Sequence, residues 1–330
     1  MVRAWQVREL GQPQDVLRLE EVDDLRPGPG QVVVRVGASP VNFPDVLMCR
    51  GEYQVKPPLP FTPGVELCGE VVELGADVTG VAVGERVIGG AVMPHGAFAE
   101  FALMDAQRLL PAPEALDDAE ASALYIGYQT GWFGLHRRAG LQAGETLLVH
   151  AAAGGVGSAA IQLGKAAGAT VIGVVGGPEK AAVARELGAD VVVDRHSEDF
   201  VAVVKETTGG RGADVIYDPV GGETYQRSTK CIAFEGRILV IGFAGGTIQN
   251  PGLNHALIKN YSIVGLHWGL YNDRDPESIR QAHAELSRLA EEGRVKPLIS
   301  ERIGLDALAD GVQRVGDGKT VGRVAYDVGV

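Results

Sequence analysis

The pattern of apolar and polar positions changes near residue 122. Before it, short stretches that alternate apolar and polar residues lie between glycine and proline turns, at residues 31–36, 66–74, 85–88 and 97–104. Alternation with a period of two is typical of strands that bury one face. We therefore predict an antiparallel, barrel-like β domain in this part of the chain.

Between residues 123 and 268, short apolar runs alternate with stretches of helix-forming residues. The runs predict strands at 146–149, 168–176, 190–194, 213–217, 237–242 and 261–267. The stretches predict helices at 158–167, 178–187, 198–208 and 223–233. This alternation predicts an α/β domain whose doubly wound parallel sheet is covered on both faces.

The last part of the chain is too short for a third domain. It predicts a charged amphipathic helix at 275–293, a strand at 298–303, a helix at 306–315 and a strand at 320–326. We expect it to pack against the N-terminal part, which makes that domain discontinuous. The predicted domains are residues 1–122 with 269–330, and residues 123–268.

A glycine-rich turn follows the first strand of the middle region. It reads His150-Ala-Ala-Ala-Gly154-Gly155-Val156-Gly157, with Ala152 at the first position of a G-x-G-x-x-G pattern. A strand before such a turn and a helix after it are typical of dinucleotide binding. Gly154 would let the backbone approach a pyrophosphate, Gly157 would let the helix pack closely, and the helix N-terminus would offer N–H groups. The alternative is a glycine turn in another doubly wound protein.

Composition narrows the possible partners. The chain has 330 residues, 45% of them hydrophobic, and a net charge of −12 without a basic run. Nucleic acid and anionic membranes are therefore poor partners. There is no apolar signal segment, no run near the roughly 18 apolar residues of a membrane helix, and the three cysteines are scattered. We expect a cytoplasmic protein.

Several motifs, in this order and spacing, make a family resemblance specific. They are Val41-Asn42-Phe43-Pro44-Asp45, Pro63-Gly64-Val65-Glu66, Val83-Gly84-Glu-Arg-Val, Gly96-Ala97-Phe-Ala-Glu, the glycine turn, Tyr217-Asp218-Pro-Val-Gly221-Gly and Gly236-Arg-Ile-Leu-Val-Ile-Gly242. The chain resembles the medium-chain dehydrogenase/reductase superfamily, and within it the zinc-free NADPH:quinone oxidoreductase (zeta-crystallin-like) branch. The resemblance implies a GroES-like catalytic domain, a Rossmann domain with a cleft between them, and a homodimer joined through the Rossmann edge strand 261–267.

The same resemblance bears on metal binding. Zinc members carry a cysteine at the position of Asn42, a histidine at that of Val65 and a further ligand near Tyr125. Catalytic zinc needs about three protein ligands. This chain lacks those side chains, so we expect no metal and a structural role for Glu66.

The expected cofactor is NADPH. Rossmann domains that bind NAD place an acidic residue at the end of the second strand, on the ribose 2′-hydroxyl. Here that end is Val175-Gly176-Gly177, without an acid. Lys180 and Arg195 stand at positions that hold the 2′-phosphate in the quinone reductase branch, although tyrosine is common at the second. Lys180 could instead be a solvated helix residue, and Arg195 could equally be a surface residue.

Other site residues follow from the resemblance by position. Thr130 and Asn42 would line the nicotinamide, although Asn42 could be only a turn residue. The remaining positions border the nicotinamide half: Gly242, Phe243, Ala244, His267 and Trp268. The isolated histidines are expected to be surface or capping residues: His95, His136, His196, His255 and His283.

Without a Lewis acid, hydride delivery suits an acceptor that is already electrophilic, such as a quinone or an α,β-unsaturated carbonyl. Asn42 and Tyr53 are the candidate catalytic residues, with Tyr53 as proton donor to the acceptor oxygen or merely as an aromatic wall. Two other functions stay open. One is reduction of an enoyl thioester, and the other is NADPH binding without catalysis.

Overall fold

The computed structural model describes all 330 residues, which form two compact units. Unit 1 comprises Met1–Ile126 and Lys296–Val330, and unit 2 comprises Gly127–Val295. None of the helices has both the length and the apolar character needed to cross a membrane.

Unit 1 begins with strands, as the alternating pattern predicts, and with three short helices. In chain order they are β1 (Val2–Val7), α1 (Pro13–Val16), β2 (Leu17–Val22), β3 (Gln31–Pro40), α2 (Phe43–Arg50), β4 (Glu66–Leu74), β5 (Arg86–Gly90), β6 (Phe101–Asp105), a 3₁₀ turn (Ala106–Arg108), β7 (Leu110–Pro111) and α3 (Asp118–Ala123).

Helical turns then lead into unit 2, where strands and helices alternate. They are a π-helical turn (Leu124–Tyr128), α4 (Gln129–Trp132), a second π-helical turn (Phe133–Arg138), β8 (Thr146–Val149), α5 (Gly155–Ala166), β9 (Thr170–Val175), α6 (Pro178–Glu186), β10 (Val191–Asp194), α7 (Phe200–Thr207), β11 (Ala213–Asp218), α8 (Gly222–Ser228), β12 (Ile232–Val240), α9 (Leu253–Lys259), β13 (Ser262–Gly265), a 3₁₀ turn (Trp268–Leu270), α10 (Tyr271–Arg274) and α11 (Pro276–Glu291).

The chain returns to unit 1 through its last elements. They are β14 (Ile299–Ile303), a 3₁₀ turn (Leu305–Ala307), α12 (Leu308–Gly316) and β15 (Arg323–Asp327). β15 pairs antiparallel with β3, and β14 pairs parallel with β15. The sheet order is β14-β15-β3-β4-β5-β7, with β6 also on β3. Its core includes the fully buried Phe61, Leu67, Phe98 and Met104.

The sheet of unit 2 is parallel and has the order β10-β9-β8-β11-β12-β13. β8 lies in the middle, so the chain winds outward from it in both directions. Ligands of such sheets bind at the carboxyl ends of the strands, where the winding direction changes. This arrangement, together with the sheet of unit 1, confirms the predicted fold class.

Several predicted boundaries differ in the structure, and three of the differences have a clear physical reason or change the domain assignment. Helix α5 begins at Gly155 rather than at residue 158, because the glycine turn itself supplies the first helical turn. Helix α8 ends at Ser228, since Ile232 already pairs with Ala213 in the β11–β12 ladder. Helix α11, which the sequence assigned to the N-terminal domain, lies in unit 2, where the Ile279 carbonyl oxygen accepts a hydrogen bond from Gln129.

Candidate dinucleotide and active-site residues

The glycine turn closes tightly against the start of α5. Ala151 adopts a left-handed conformation with φ of 49°, and the Gly154 N–H donates to its carbonyl oxygen over 2.8 Å. A Cβ atom at Gly157 would lie 2.2 Å from the same oxygen, so only glycine fits there. The close approach at Gly157 is to the backbone of the turn at Ala151 and Ala152, whereas the sequence predicted close packing of the helix on the strand.

The first turn of α5 faces the carboxyl ends of the strands. Gly154 is its N-cap, and the N–H groups of Gly155, Val156 and Gly157 have no partner inside the helix. The buried Ala152 methyl packs against Gly173 of β9, where a Cβ atom would lie only 3.1 Å away. The turn therefore has the backbone donors and the close approach that a pyrophosphate requires.

Thr130 lies on α4, which packs against α5. A Cβ atom at the neighbouring Gly131 would lie 2.7 Å from Cδ1 of Leu163, so the helices approach closely. Thr130 itself is half-buried. The close contact fixes Thr130 relative to the helix that follows the glycine turn.

The ends of β9 and β10 bring together charged residues that lie apart in the sequence. Arg195 follows β10 and is exposed, and its guanidinium lies over the backbone of Gly176. Lys180 is half-buried in the first turn of α6. These predicted positions therefore share one edge of the sheet.

The same edge carries a carboxylate that the sequence analysis did not single out. Asp194 Oδ1 accepts hydrogen bonds from the N–H groups of Gly177 (2.9 Å) and His196 (3.1 Å). These donors hold the pKa of Asp194 below its usual range, so Asp194 is ionised at neutral pH. Only the strand order, which places β10 beside β9, could have pointed to it.

Asp218, the last residue of β11, is a second carboxylate that the sequence analysis did not assign to the site. Asp218 Oδ1 accepts from the N–H groups of Val220 and Gly221, each over 2.9 Å, while its buried Oδ2 has no partner. Burial raises the pKa of Asp218. The turn it holds lies under the Phe243 ring, because a Cβ atom at Gly221 would come within 2.9 Å of Phe243 Cδ1.

The predicted nicotinamide residues lie after the last two strands. Gly242, Phe243 and Ala244 follow β12, and the Ala244 N–H donates to the Pro219 carbonyl oxygen over 3.0 Å. His267 is exposed and Trp268 is buried after β13. The segment after β12 is therefore tied to the turn after β11, where Asp218 lies.

In unit 1, Glu66 is fully buried, and both of its carboxylate oxygens accept hydrogen bonds from protein groups. Its Oε1 accepts from Asn42 Nδ2 and Arg323 Nη1, each over 2.9 Å, and its Oε2 accepts from the Ile126 N–H over 2.6 Å. This matches the structural role expected for Glu66.

The donor set does not fit a catalytic zinc. The resemblance implies zinc ligands at Asn42, at Val65 and near Tyr125, and no three His, Cys, Asp or Glu side chains converge anywhere in the chain. Glu66, the carboxylate that follows Val65, already accepts a hydrogen bond from the guanidinium of Arg323.

Asn42 is the buried N-cap of α2. Its amide nitrogen donates to Glu66 and, over 3.1 Å, to the Pro40 carbonyl oxygen. Asp45, three residues further on, accepts from the N–H groups of Asn42 (2.8 Å) and Gly64 (3.0 Å). Burial raises the pKa of Asp45 to about 7. These bonds fix the orientation of Asn42.

Tyr53 lies in the loop after α2, half-buried against the core of unit 1. Burial, and to a smaller extent the charge of Asp45, raises the pKa of Tyr53 above its ordinary value. The hydroxyl therefore stays protonated at neutral pH and remains able to donate.

One more histidine stands out, although it is not a site candidate. His150 is fully buried at the end of β8, with Nε2 2.8 Å from Ser228 Oγ. Burial lowers its pKa to about 3, so His150 is neutral in the folded protein. Its role here is structural.

Comparison with known proteins agrees with this geometry. The family of zinc-binding dehydrogenases matches residues 155–288, and the alcohol dehydrogenase GroES-like domain matches residues 28–114. A quinone oxidoreductase-like protein 2 homolog of Nematostella vectensis is 40% identical over 98% of this chain and 88% of its own.

Solved structures give the same result. A Pseudomonas syringae quinone oxidoreductase is 31% identical with a TM-score of 0.91, covering 99% of this chain and 100% of its own. An Escherichia coli quinone oxidoreductase complexed with NADPH is 28% identical with a TM-score of 0.91, covering 98% and 99%. The chain belongs to the medium-chain dehydrogenase/reductase superfamily, a group of oxidoreductases, and within it to the quinone oxidoreductase branch.

A different kind of relative also matches. The phthioceranic/hydroxyphthioceranic acid synthase of Mycobacterium tuberculosis is 33% identical over 98% of this chain, but the match spans only 15% of that protein. A segment similar to this whole chain therefore forms one part of that much larger synthase.

Proposed function

We propose that this protein is an NADPH-dependent reductase that transfers a hydride to a quinone or an α,β-unsaturated carbonyl without a metal. The observation that carries the proposal is that both carboxylate oxygens of Glu66 already accept hydrogen bonds from the protein. The donors are Arg323, Asn42 and the Ile126 N–H. A site without a Lewis acid requires an acceptor whose own conjugation delocalises the charge that hydride addition creates.

The residues of unit 2 would hold the cofactor. The N–H groups at the start of α5 suit the pyrophosphate, and Lys180 and Arg195 suit the 2′-phosphate. The segments around Thr130, Gly242–Ala244 and His267–Trp268 are assigned to the nicotinamide half. The bound NADPH would supply the hydride.

In unit 1 we assign Tyr53 as the proton donor to the oxygen of the acceptor. Its raised pKa keeps the hydroxyl protonated across the neutral range, and its aromatic body suits a flat, uncharged acceptor. Asn42 is assigned to cofactor and acceptor binding. Its amide is held in one orientation by Glu66 and the Pro40 carbonyl oxygen.

The partner that we propose is a second copy of the chain. β13 is the edge strand of its sheet, and the adjacent α9 buries none of its residues. Leu253, Leu257 and Ile258 of α9 are 70–76% exposed, and contiguous apolar surface of this kind is typical of an interface. We also propose a cytoplasmic location, which the buried free thiols of all three cysteines support.

An enoyl-thioester reductase is the second candidate, because part of the Mycobacterium tuberculosis phthioceranic/hydroxyphthioceranic acid synthase matches this chain. Purified protein should be assayed with quinones, 2-alkenones, enoyl-CoAs, ethanol and acetaldehyde, each with NADPH and NADH, before and after chelation. Turnover of quinones or 2-alkenones with NADPH that survives chelation is expected.

Several outcomes would contradict the proposal. Faster turnover of enoyl-CoA would favour the second candidate, and NADPH binding without oxidation by any acceptor would make this a binding protein. About one zinc per chain, with activity lost on chelation, would refute the metal-free mechanism.

A further inference from the structure

Two side chains that can carry positive charge meet at the carboxyl ends of β9 and β10. A Cβ atom built on Gly176 would lie 3.0 Å from Nε and 3.3 Å from Nη2 of Arg195. The same point lies 3.2 Å from Cε1 of His196. The guanidinium and the imidazole therefore both lie against Gly176, where a larger residue would have to displace them.

Asp194 fixes the main chain around this spot. Its Oδ1 accepts from the N–H groups of Gly177 and His196 and lies 3.7 Å from His196 Nδ1. Glu198 Oε2 in turn accepts from the Asp194 N–H over 3.1 Å. The carboxylate therefore holds the main chain at His196, while 63% of the His196 side chain stays exposed to solvent.

We propose that His196 determines cofactor specificity by binding, together with Arg195, the 2′-phosphate of NADPH over Gly176. The proposal rests on the proposed NADPH-dependent function. In a sheet of this order the adenosine ribose lies at the end of the second strand, which here is β9. The 2′-phosphate is the group that distinguishes NADPH from NADH at this end, so a guanidinium and an imidazole that converge there select for it.

The test uses nucleotide fragments, so that it does not depend on catalysis. Binding of 2′,5′-ADP and of 5′-AMP is measured by calorimetry at one fixed pH. The proteins are the wild type, His196→Gln, His196→Arg and the control Arg185→Gln. His196→Arg keeps an N–H donor at this position. Arg185 is an exposed cation in the last turn of α6, away from Gly176.

His196→Gln should bind 2′,5′-ADP about two- to fivefold more weakly than the wild type, the loss of one solvent-exposed hydrogen bond. Binding of 5′-AMP should be unchanged in this variant, and Arg185→Gln should match the wild type with both ligands. His196→Arg should retain the preference for 2′,5′-ADP over 5′-AMP. Equal 2′,5′-ADP affinities of the wild type and His196→Gln would overturn the proposal.

Failure of the wider function would look different. If the wild type binds 2′,5′-ADP no better than 5′-AMP, both the NADPH preference and the role of His196 are refuted. If the wild type prefers 2′,5′-ADP but His196→Gln does so equally, only the role of His196 is refuted.

Discussion

Glu66 and Arg323 form a buried ion pair between positions 257 residues apart, with Arg323 Nη1 2.9 Å from Glu66 Oε1. The side chains are 0% and 5% exposed, respectively. The pair joins β4 to β15, the strand through which the end of the chain returns to unit 1. Glu66 also accepts from Asn42 and from the Ile126 N–H, so its carboxylate ties several segments of unit 1 together.

Arg323→Met should destabilise the protein by about 3–5 kcal/mol, because it leaves the carboxylate of Glu66 buried without its cation. The free energy of unfolding in urea measures the loss. Arg35→Met is the matched control, because it breaks an exposed pair with Glu70 on the same sheet and should cost less than about 1 kcal/mol. Equal losses in the two variants would show that burial does not determine how much the Arg323–Glu66 ion pair contributes to stability.

Tyr53→Phe tests the proposed proton donor, since it removes only the hydroxyl. We expect kcat for a 2-alkenone to fall by roughly 10²-fold, while the KM for NADPH stays near the wild-type value. Because the pKa of Tyr53 is raised, the wild-type rate should show no loss from its deprotonation between neutral pH and about pH 10. A loss of only a few-fold would indicate that water supplies the proton and that Tyr53 is an aromatic wall.

Lys180→Glu tests the 2′-phosphate assignment of Lys180. The change replaces a cation by an anion, so kcat/KM with NADPH should fall at least roughly tenfold while the value with NADH changes little. Arg185→Glu makes the same charge change at the other end of α6 and should leave the preference intact. An unaltered preference in Lys180→Glu would show that Lys180 does not bind the phosphate.

The general architecture was predictable from the sequence because strands and helices alternate and a glycine turn follows the first strand. What could not be predicted depends on which strand ends become neighbours. Asp194 reaches the Gly177 N–H from an adjacent strand, and Arg323 reaches Glu66 from the end of the chain. The start of α5 was placed too late because glycines at 155 and 157 are poor helix formers in isolation.

His150 should make the protein sensitive to acid. Its pKa is about 3 in the folded protein, below the ordinary value of about 6.5 that applies to the unfolded chain. As the pH falls below about 6.5, the unfolded chain takes up a proton that the folded protein refuses, so stability is lost by up to about 1.4 kcal/mol per pH unit.

The variant His150→Gln isolates this effect. The buried Asp45, with its raised pKa, acts in the opposite direction, because its stabilising neutral form is favoured as the pH falls from about 7. The difference in unfolding free energy between wild type and His150→Gln should therefore be measured from about pH 7 to about pH 4. A difference that does not change with pH would show that His150 is not held neutral.

Ile263→Lys tests the proposed dimer. Ile263 lies in the edge strand β13, where a lysine would oppose pairing with the same strand of a second copy. Light scattering at micromolar concentration should give twice the 34.7 kDa chain mass for the wild type and the single-chain mass for Ile263→Lys. Val328→Lys, at a residue of unit 1 that is 57% exposed, is the control and should remain dimeric. A wild-type monomer, or a dimer that Ile263→Lys leaves intact, would mean that the apolar surface of α9 and β13 is not the interface.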